Sequence, residues 1–140
     1  MKLSRTVAYA LQATLQLALS DTDLPVPCNQ LAAAGNMPER FLLQILRNLV
    51  AHGILESTRG VEGGYTLERA PDDISLLEVI EAIDGPLVPA LPLNEGLPTG
   101  CKRKLERALK DVTKLARQEL EDVKLAHLLP EPRRSRRSSG

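Results

Sequence analysis

The spacing of hydrophobic positions predicts an amphipathic helix at the start of the chain. Ser4 is its N-cap, and apolar residues then recur at every fourth position. The predicted buried stripe consists of Val7, Leu11, Leu15 and Leu19. A second, shorter helix follows Pro27 and ends at Gly35 and Asn36, since both residues tolerate the left-handed conformation that a tight turn between helices requires.

A third helix is predicted from about residue 38 to residue 52. Pro38 suits its first turn and Gly53 is placed as its C-terminal stop. Its predicted apolar stripe consists of Phe41, Leu42, Ile45, Leu46 and Leu49. Its predicted outward face consists of Glu39, Arg40, Gln44, Arg47 and Asn48. Two helices joined by a tight turn predict a helix-turn-helix.

After Gly53 the pattern changes to that of a β-hairpin and then returns to helix. Residues 54–58 and 65–68 are extended segments, and the glycine-rich segment 59–64 separates them. Ser75 and Glu78 have the spacing of a capping box, which opens a helix that Gly85 closes. The inner face of that helix is predicted to consist of Ile74, Leu77, Ile80 and Ile83.

The C-terminal third of the chain is predicted to contain a loop, a long helix and a tail. Residues 86–100 contain four prolines, and residues 101–129 form the helix. Its apolar stripe, predicted to mediate dimerisation, consists of Leu105, Leu109, Val112, Ala116, Leu120 and Val123. Residues 130–140 read as a disordered basic tail. The predicted fold is therefore mainly α with a small β-hairpin, a winged helix-turn-helix domain over residues 1–85 followed by a long C-terminal dimerisation helix.

Composition and charge limit what this fold can do. The 140 residues are 43% hydrophobic but only 2% aromatic, so the core must be aliphatic, which favours helices. No apolar run has membrane-spanning length and no secretory signal begins the chain, so we predict a cytoplasmic protein with no membrane partner. The formal net charge is zero, yet residues 101–140 carry twelve basic and six acidic side chains. Binding to nucleic acid would therefore depend on a locally positive face.

The helix-turn-helix and hairpin carry side chains suited to reading DNA. Arg40 and Gln44 lie one turn apart, and arginine can pair with guanine while glutamine pairs with adenine. Arg59 stands at the base of the glycine-rich tip, where an arginine can enter a narrow minor groove. The candidate DNA-binding set is Ser4, Glu39, Arg40, Gln44, Arg47, Arg59, Gly60, Gly63, Gly64 and Tyr65. A solvated helix face and an ordinary hairpin turn are the alternatives.

Several segments together resemble one known family over nearly the whole chain. They are residues 1–4 (Met-Lys-Leu-Ser) with 9–10 (Tyr-Ala), 41–46 (Phe-Leu-Leu-Gln-Ile-Leu), 53–60 (Gly-Ile-Leu-Glu-Ser-Thr-Arg-Gly) with 63–67 (Gly-Gly-Tyr-Thr-Leu), and 74–85. The chain thereby resembles the Rrf-two (Rrf2) family of bacterial winged helix-turn-helix transcriptional regulators. The resemblance implies a homodimer that binds double-stranded DNA at a near-palindromic operator. Leu43 and Asn36 depart from the residues usual in the family, so the operator sequence does not carry over.

The resemblance leaves the sensed signal open. Family members that bind an iron-sulfur cluster have three cysteines before the long helix, whereas this chain has only Cys101 there, so no cofactor is expected. Cys101 precedes Lys102, Arg103 and Lys104, surroundings that favour a thiolate, which makes it a candidate redox switch. A cysteine without a role and a small-molecule effector near residues 87–97 are the alternatives. Cys28 is predicted to be an inert, buried thiol.

The predicted function is sequence-specific DNA binding by a homodimeric transcriptional regulator. A winged helix used for protein contacts is one alternative, since the same fold can bind partners through its outward helix or wing. A cluster-binding redox sensor is another. We predict no enzymatic activity, because neither cysteine is accompanied by a histidine and an orienting acid in a recognisable arrangement. We predict no metal site, because Cys28 and Cys101 lie 73 positions apart and form no metal-ligand pattern.

Overall fold

A computed structural model of the chain describes residues 2–20, 22–89 and 95–130. The predicted tail lies outside the described residues from residue 131 onward, as do residues 90–94 of the predicted loop. Within the described part, the elements in chain order are α1 (Arg5–Leu19), α2 (Cys28–Gly35), α3 (Glu39–Ala51), β1 (Leu55–Thr58), β2 (Gly64–Leu67), a 3₁₀ helix (Pro71–Asp73), α4 (Leu76–Asp84), α5 (Thr99–Asp122) and a second 3₁₀ helix (Leu125–Leu128). The predicted fold class, mainly helical with one antiparallel hairpin, is confirmed.

Helix α1 begins where the sequence predicts, but it buries a different stripe. The Ser4 hydroxyl accepts a hydrogen bond from the Val7 amide at 3.1 Å, which confirms the N-cap. The predicted stripe of leucines is wrong, because Leu19 is 52% exposed and Leu11 and Leu15 are only half-buried. Helix α1 packs against α3 and α4, and alanines allow close approach there. The buried residues of α1 are Val7, Ala10, Ala13, Thr14 and Leu17.

Helices α2 and α3 form the predicted helix-turn-helix. Asn36 adopts the left-handed conformation, with φ of 51°, and the Met37 amide donates to the Ala32 carbonyl at 2.8 Å. The Gln12 side chain of α1 donates to the Gly35 carbonyl at 3.2 Å and so supports the turn. Helix α3 ends one residue before His52, close to the predicted boundary. Its buried stripe is Leu42, Ile45, Leu46 and Leu49.

Phe41 is the exception in α3. The sequence predicts that it is a core residue, but its side chain is 65% exposed. Successive helix residues are rotated by about 100°, so Phe41 lies at the edge of the stripe that Leu42 and Ile45 bury. The core beneath α3 is closed by leucine and isoleucine without it.

The hairpin pairs antiparallel, with Leu55 opposite Leu67 and Thr58 opposite Gly64. A backbone bridge joins β2 to the segment before α2: the Val26 amide donates to the Tyr65 carbonyl at 3.0 Å, and the Tyr65 amide donates to the Val26 carbonyl at 2.9 Å. The hairpin is thereby attached to the chain that leads into the helix-turn-helix.

Helix α4 opens with the predicted capping box. The Glu78 amide donates to the Ser75 hydroxyl at 3.1 Å, and the Ser75 amide donates to the Glu78 carboxylate at 3.3 Å. Gly85 ends the helix with φ of 81°. Of the predicted inner face, Ile74, Leu77 and Ile80 are buried and Ile83 is half-buried; Val79 and Ala82 are buried as well.

Helix α5 differs from the prediction at both ends. It begins at Thr99 and ends at Asp122, so a continuous helix over residues 101–129 is wrong. Lys124 instead forms a backbone bridge with Ser75, flanked by hydrogen bonds from the Leu76 amide to the Val123 carbonyl and from the Leu125 amide to the Ile74 carbonyl, both 2.9 Å. The bridge turns the chain back so that Leu125 is fully buried in the core. Among the helices of the described segments, none is long and apolar enough to cross a membrane.

Candidate nucleic-acid interface

The outward face of α3 carries the side chains that the sequence predicts for base reading. Glu39, Arg40, Gln44 and Arg47 are all exposed, and the helical repeat places Arg40, Gln44 and Arg47 opposite the buried stripe. Asn48 is half-buried, and its side-chain oxygen accepts a hydrogen bond from Gln44 at 3.4 Å. The two ion pairs of the described residues are Arg69–Glu78 and Arg117–Glu81, so neither arginine of this face is neutralised there.

The three glycines of the predicted wing, which is the β1–β2 hairpin with its tip at residues 59–63, have different roles. Gly60, with φ of 113°, has open space around the position of a Cβ. At Gly63 a Cβ would lie 2.1 Å from the Thr58 carbonyl oxygen, and the Gly63 amide donates to the Gly60 carbonyl at 3.0 Å. Gly63 therefore closes the hairpin tip, while Gly60 is needed for its backbone conformation.

Gly64 faces into the fold rather than toward a ligand. A Cβ there would lie 2.4 Å from the Val26 carbonyl carbon and 2.7 Å from the Pro27 nitrogen. The missing side chain is what lets β2 approach the Val26 segment closely enough to pair with it. Gly64 is thus a positioning residue for the wing.

Arg59 stands at the exposed end of the hairpin. Together with residues 60–63 and with Leu24, Pro25 and Pro27 it lines an open groove. Its guanidinium takes part in neither ion pair of the described residues. The structure therefore presents a cation beside the tip, at a position separate from the cations of α3.

The wing meets the helix-turn-helix at Tyr65, which lies near Cys28 of α2 and Arg47 of α3. Burial and the neighbouring Cys28 raise the pKa of Tyr65, and Arg47 only partly offsets this, so the phenol stays neutral at pH 7. Burial and the charge of Glu39 raise the pKa of the Cys28 thiol, which donates a hydrogen bond to the Glu39 carbonyl at 3.7 Å. Tyr65 is half-buried and Cys28 is a half-buried thiol, rather than fully buried as predicted.

Arg69 fixes the other end of the hairpin. It pairs with the Glu78 carboxylate and donates to the carbonyls of Asp73 at 2.9 Å and Gly53 at 3.5 Å. Burial raises the pKa of Glu78, but the hydrogen bonds from Arg69 and from the Ser75 amide outweigh it, together with the positive charges nearby, so that the pKa is lowered. This residue escaped the sequence analysis because nothing in the local pattern distinguishes it from a solvated arginine.

The Ser4 hydroxyl, predicted to contact DNA, is already hydrogen-bonded within the protein. It caps α1 and also contacts the Asp84 carboxylate at 3.2 and 3.3 Å. The residues that follow Ser4 were missed by the sequence analysis. Arg5 and Thr6 are exposed on the first turn of α1, and they face α3 across a cavity of about 390 Å³. The other lining residues are Tyr9, Pro38, Phe41, Gln44, Ile45 and Asn48.

The predicted dimerisation stripe divides between two faces of α5. Leu109, Ala116, Leu120 and, just after the helix, Val123 are half-buried. The half-buried Arg117 pairs with Glu81 of α4, so this side of α5 faces α4. The exposed side carries Leu105 at 37%, Val112 at 62% and Leu115 at 69% exposure.

Comparison with known proteins places this geometry in a family. The family model of Rrf2, described as iron-dependent transcriptional regulators, matches residues 3–131. The chain belongs to the Rrf2 family. The match begins just before α1 and ends after the second 3₁₀ helix, so the Rrf2 domain includes both the helix-turn-helix and α5.

Individual Rrf2 relatives are named as transcriptional regulators and not as enzymes. The HTH-type regulator CymR of Bacillus subtilis is 32% identical over 114 residues, which cover 81% of each chain. An HTH-type regulator of Mycobacterium tuberculosis is 42% identical over 87 residues, which cover 62% of this chain and 54% of the relative. This chain thus spans little more than half of that relative's length.

Solved structures of Rrf2 proteins have the same fold. The structure of CymR, the global cysteine regulator of B. subtilis, superimposes with a TM-score of 0.75 at 28% identity, covering 91% of this chain and 95% of CymR. IscR of T. potens superimposes with a TM-score of 0.65 at 27% identity, covering 91% of this chain and 85% of IscR.

The residues of this Rrf2 chain do not fit the iron site that the family description implies. The chain has two cysteines, one at the start of α2 and one in the first turn of α5. The residues that the structure describes contain no group of three or more histidine, cysteine, aspartate or glutamate side chains arranged to hold a metal ion. An iron-sulfur cluster needs several thiolate ligands, which Cys28 and Cys101 do not supply.

Proposed function

We propose that the chain is a homodimeric, sequence-specific DNA-binding transcriptional regulator that acts without an iron-sulfur cluster. The observation that carries the proposal is the presence of two separate cationic features on a fixed frame. Arg40, Gln44 and Arg47 project from α3, and Arg59 projects from the wing. The major groove takes the first set and the adjacent minor groove takes Arg59.

The frame supports DNA binding because backbone hydrogen bonds and an ion pair hold it together. The bridge between Val26 and Tyr65 ties the wing to the segment that leads into α2, and the ion pair between Arg69 and Glu78 ties it to α4. A backbone frame that is already ordered loses less conformational entropy on binding, which improves affinity. The net charge of zero is no obstacle, since salt-dependent attraction to phosphate depends on the residues at the interface.

An electrophoretic mobility-shift assay with DNA upstream of the chain's own gene tests the proposal. We expect site-specific binding whose affinity falls steeply as salt rises, and a loss of about ten-fold or more for Arg40→Ala and for Arg59→Ala. Lys114→Ala is the control, because it removes a positive charge from an exposed position on α5. Failure of the wild type to prefer any sequence, or equal affinities of all three variants, would refute regulation through DNA.

The exposed apolar side of α5 is the proposed dimer interface. Leu105, Val112 and Leu115 recur at spacings of seven and three, as in a helix that packs on another helix. The charges of α5 favour an antiparallel pair. Residues 102–110 carry five basic and one acidic side chain, while residues 115–122 carry one basic and three acidic ones, so each half would face the opposite charge.

Sedimentation at micromolar concentration tests the dimer. We expect the wild type to sediment as a dimer and Leu115→Glu to sediment as a monomer that binds its operator more weakly. Val88→Glu is the control, since Val88 is exposed to a similar extent, 65%, but lies outside α5. A monomeric wild type, or a dimer that survives Leu115→Glu, would argue against this interface.

Absence of a cluster is tested on protein that is purified anaerobically from iron-replete cells. We expect no iron or sulfide in stoichiometric amount and unchanged DNA affinity after chelation. The expectation follows from the donor set, since the chain has two cysteines, on separate helices, and such a cluster takes four ligands. Stoichiometric iron with a visible absorption band, lost in Cys101→Ser, would contradict it.

A further inference from the structure

The chain has one phenylalanine, and it is exposed. Phe41 is 65% accessible on α3, while the core is filled by aliphatic side chains. Leaving a large aromatic ring in water forgoes the most favourable burial that any side chain in this sequence could provide. A contact with another molecule would give a physical reason for keeping this ring exposed.

Phe41 lies beside the base-reading face. It precedes Gln44 by three residues and Ile45 by four, so it lies at the border between the outward face and the buried stripe. Gln44 and Phe41 both line the cavity between α1 and α3. The ring is therefore next to the amide proposed to read a base.

The surroundings of Phe41 combine apolar walls with a cationic rim. Tyr9, Pro38 and Ile45 form apolar walls, and Arg5 and Thr6 stand at the first turn of α1. A helix N-terminus with an arginine suits a phosphate at the groove edge. With a phosphate bound there, the apolar walls around Phe41 would face the interior of the DNA major groove, where the base edges lie.

We propose that Phe41 reads thymine by contacting its 5-methyl group in the major groove. This inference rests on the proposed function, since it assumes that α3 enters the groove. The methyl group of thymine is the apolar feature that base edges present there, and cytosine and uracil lack it. Phe41 adds apolar discrimination to the hydrogen bonds of Gln44 and Arg40.

Removal of single methyl groups from an operator is the sharpest test. A preferred duplex is first selected from random sequence with the full chain. Each thymine is then replaced in turn by deoxyuridine, which deletes only the methyl group. We expect that one thymine per half-site, when replaced, weakens wild-type binding roughly four-fold, about the effect of losing one buried methyl contact.

The same substitutions are measured with Phe41→Ala and Phe41→Leu. Phe41→Ala should bind the thymine and deoxyuridine operators equally, because the coupling between ring and methyl is gone. Phe41→Leu keeps an apolar side chain and should retain part of the preference for thymine. It also serves as a second test if Phe41→Ala does not fold. Val88→Ala, which is equally exposed at 65%, should keep the full preference of the wild type.

The possible results separate this inference from the proposed function. If no sequence is enriched, both are wrong. If a site is enriched but no thymine in it distinguishes wild type from the Phe41 variants, DNA binding stands and thymine reading by Phe41 is wrong. If Phe41→Ala weakens binding to both operators by the same factor, so that the wild-type preference for thymine survives, the ring contacts the sugar-phosphate backbone rather than the methyl group, which also overturns the inference.

Discussion

Replacement of Gly64 by alanine should destabilise the domain by detaching the wing. The new Cβ would lie 2.4 Å from the Val26 carbonyl carbon, 2.5 Å from its oxygen and 2.7 Å from the Pro27 nitrogen. All three are backbone atoms, so no side chain can move aside. The strand must shift, and the two hydrogen bonds between Val26 and Tyr65 are lost.

The magnitude follows from these contacts. Two backbone hydrogen bonds contribute about 0.5–1.5 kcal/mol each, and an alanine held at φ of 153° adds strain of about 1 kcal/mol. We expect the free energy of unfolding to fall by about 2–4 kcal/mol, a large share of the roughly 5–15 kcal/mol of a typical domain. Urea titration followed by circular dichroism measures the change.

Two further glycines make the experiment selective. Gly60→Ala introduces a Cβ into open space at φ of 113°, so it should cost only the strain of about 1 kcal/mol. Gly96→Ala also meets nothing within 4 Å and should leave stability nearly unchanged. The reasoning is refuted if Gly64→Ala unfolds at the wild-type urea concentration, or if Gly60→Ala is as damaging.

Three other measurements concern the carboxylate of Glu78, the two thiols and the core residue Leu125. Because the pKa of Glu78 is lowered in the folded chain, its contribution to stability is present above the unfolded value of about 4.5 and is lost as pH falls through the folded pKa; Glu78→Gln should flatten the acid limb of the stability profile, and an unchanged limb would contradict this. Cys101 should react with iodoacetamide at pH 7 faster than Cys28, because burial and a nearby carboxylate raise the pKa of the Cys28 thiol while Cys101 is exposed; mass spectrometry gives both rates, and equal rates would count against it. Leu125→Ala should lower the free energy of unfolding by about 2–5 kcal/mol in urea titration, since the side chain is fully buried; Leu128→Ala, 47% exposed, should cost far less, and comparable losses would show that Leu125 is not a core residue.

Local signals in the sequence were sufficient for the helix-turn-helix, the hairpin and the capping box. Each depends on neighbours in the chain: Asn36 ends α2, Ser75 opens α4, and Gly85 closes it. The breaks in pattern fall where the backbone must adopt a special conformation. Such positions can be recognised because few residue types tolerate them.

Burial was harder to predict because it depends on what lies opposite. Leu19 belongs to a regular stripe but extends past the elements that cover α1, and Phe41 lies one step outside the face that α3 buries. The end of α5 was missed for a related reason. Helical periodicity continues to residue 128, but the backbone bridge between Lys124 and Ser75 joins positions almost fifty residues apart.

In the candidate site, too, local sequence predicts some features and only packing determines others. The sequence identifies Arg40, Gln44 and Arg59 because their types and spacing are those of DNA-reading residues. It also includes Gly64 in the site, but the contacts with Val26 make that glycine a support for the wing. Only the packing distinguishes a residue that would contact DNA from one that holds the contact residue in place.

Because the net charge is zero, the contacts that hold the wing in place should matter for DNA binding. A strongly basic protein can gain affinity from charge alone, whereas this chain has as many acidic as basic side chains. Its affinity would depend on keeping Arg40 and Arg59 at the spacing of neighbouring grooves. The backbone bridge at Tyr65 and the contacts of Arg69 hold the two ends of β2 in place. Loss of either support should therefore weaken DNA binding even though neither touches DNA, and it should do so mainly by lowering the discrimination between operator and random sequence.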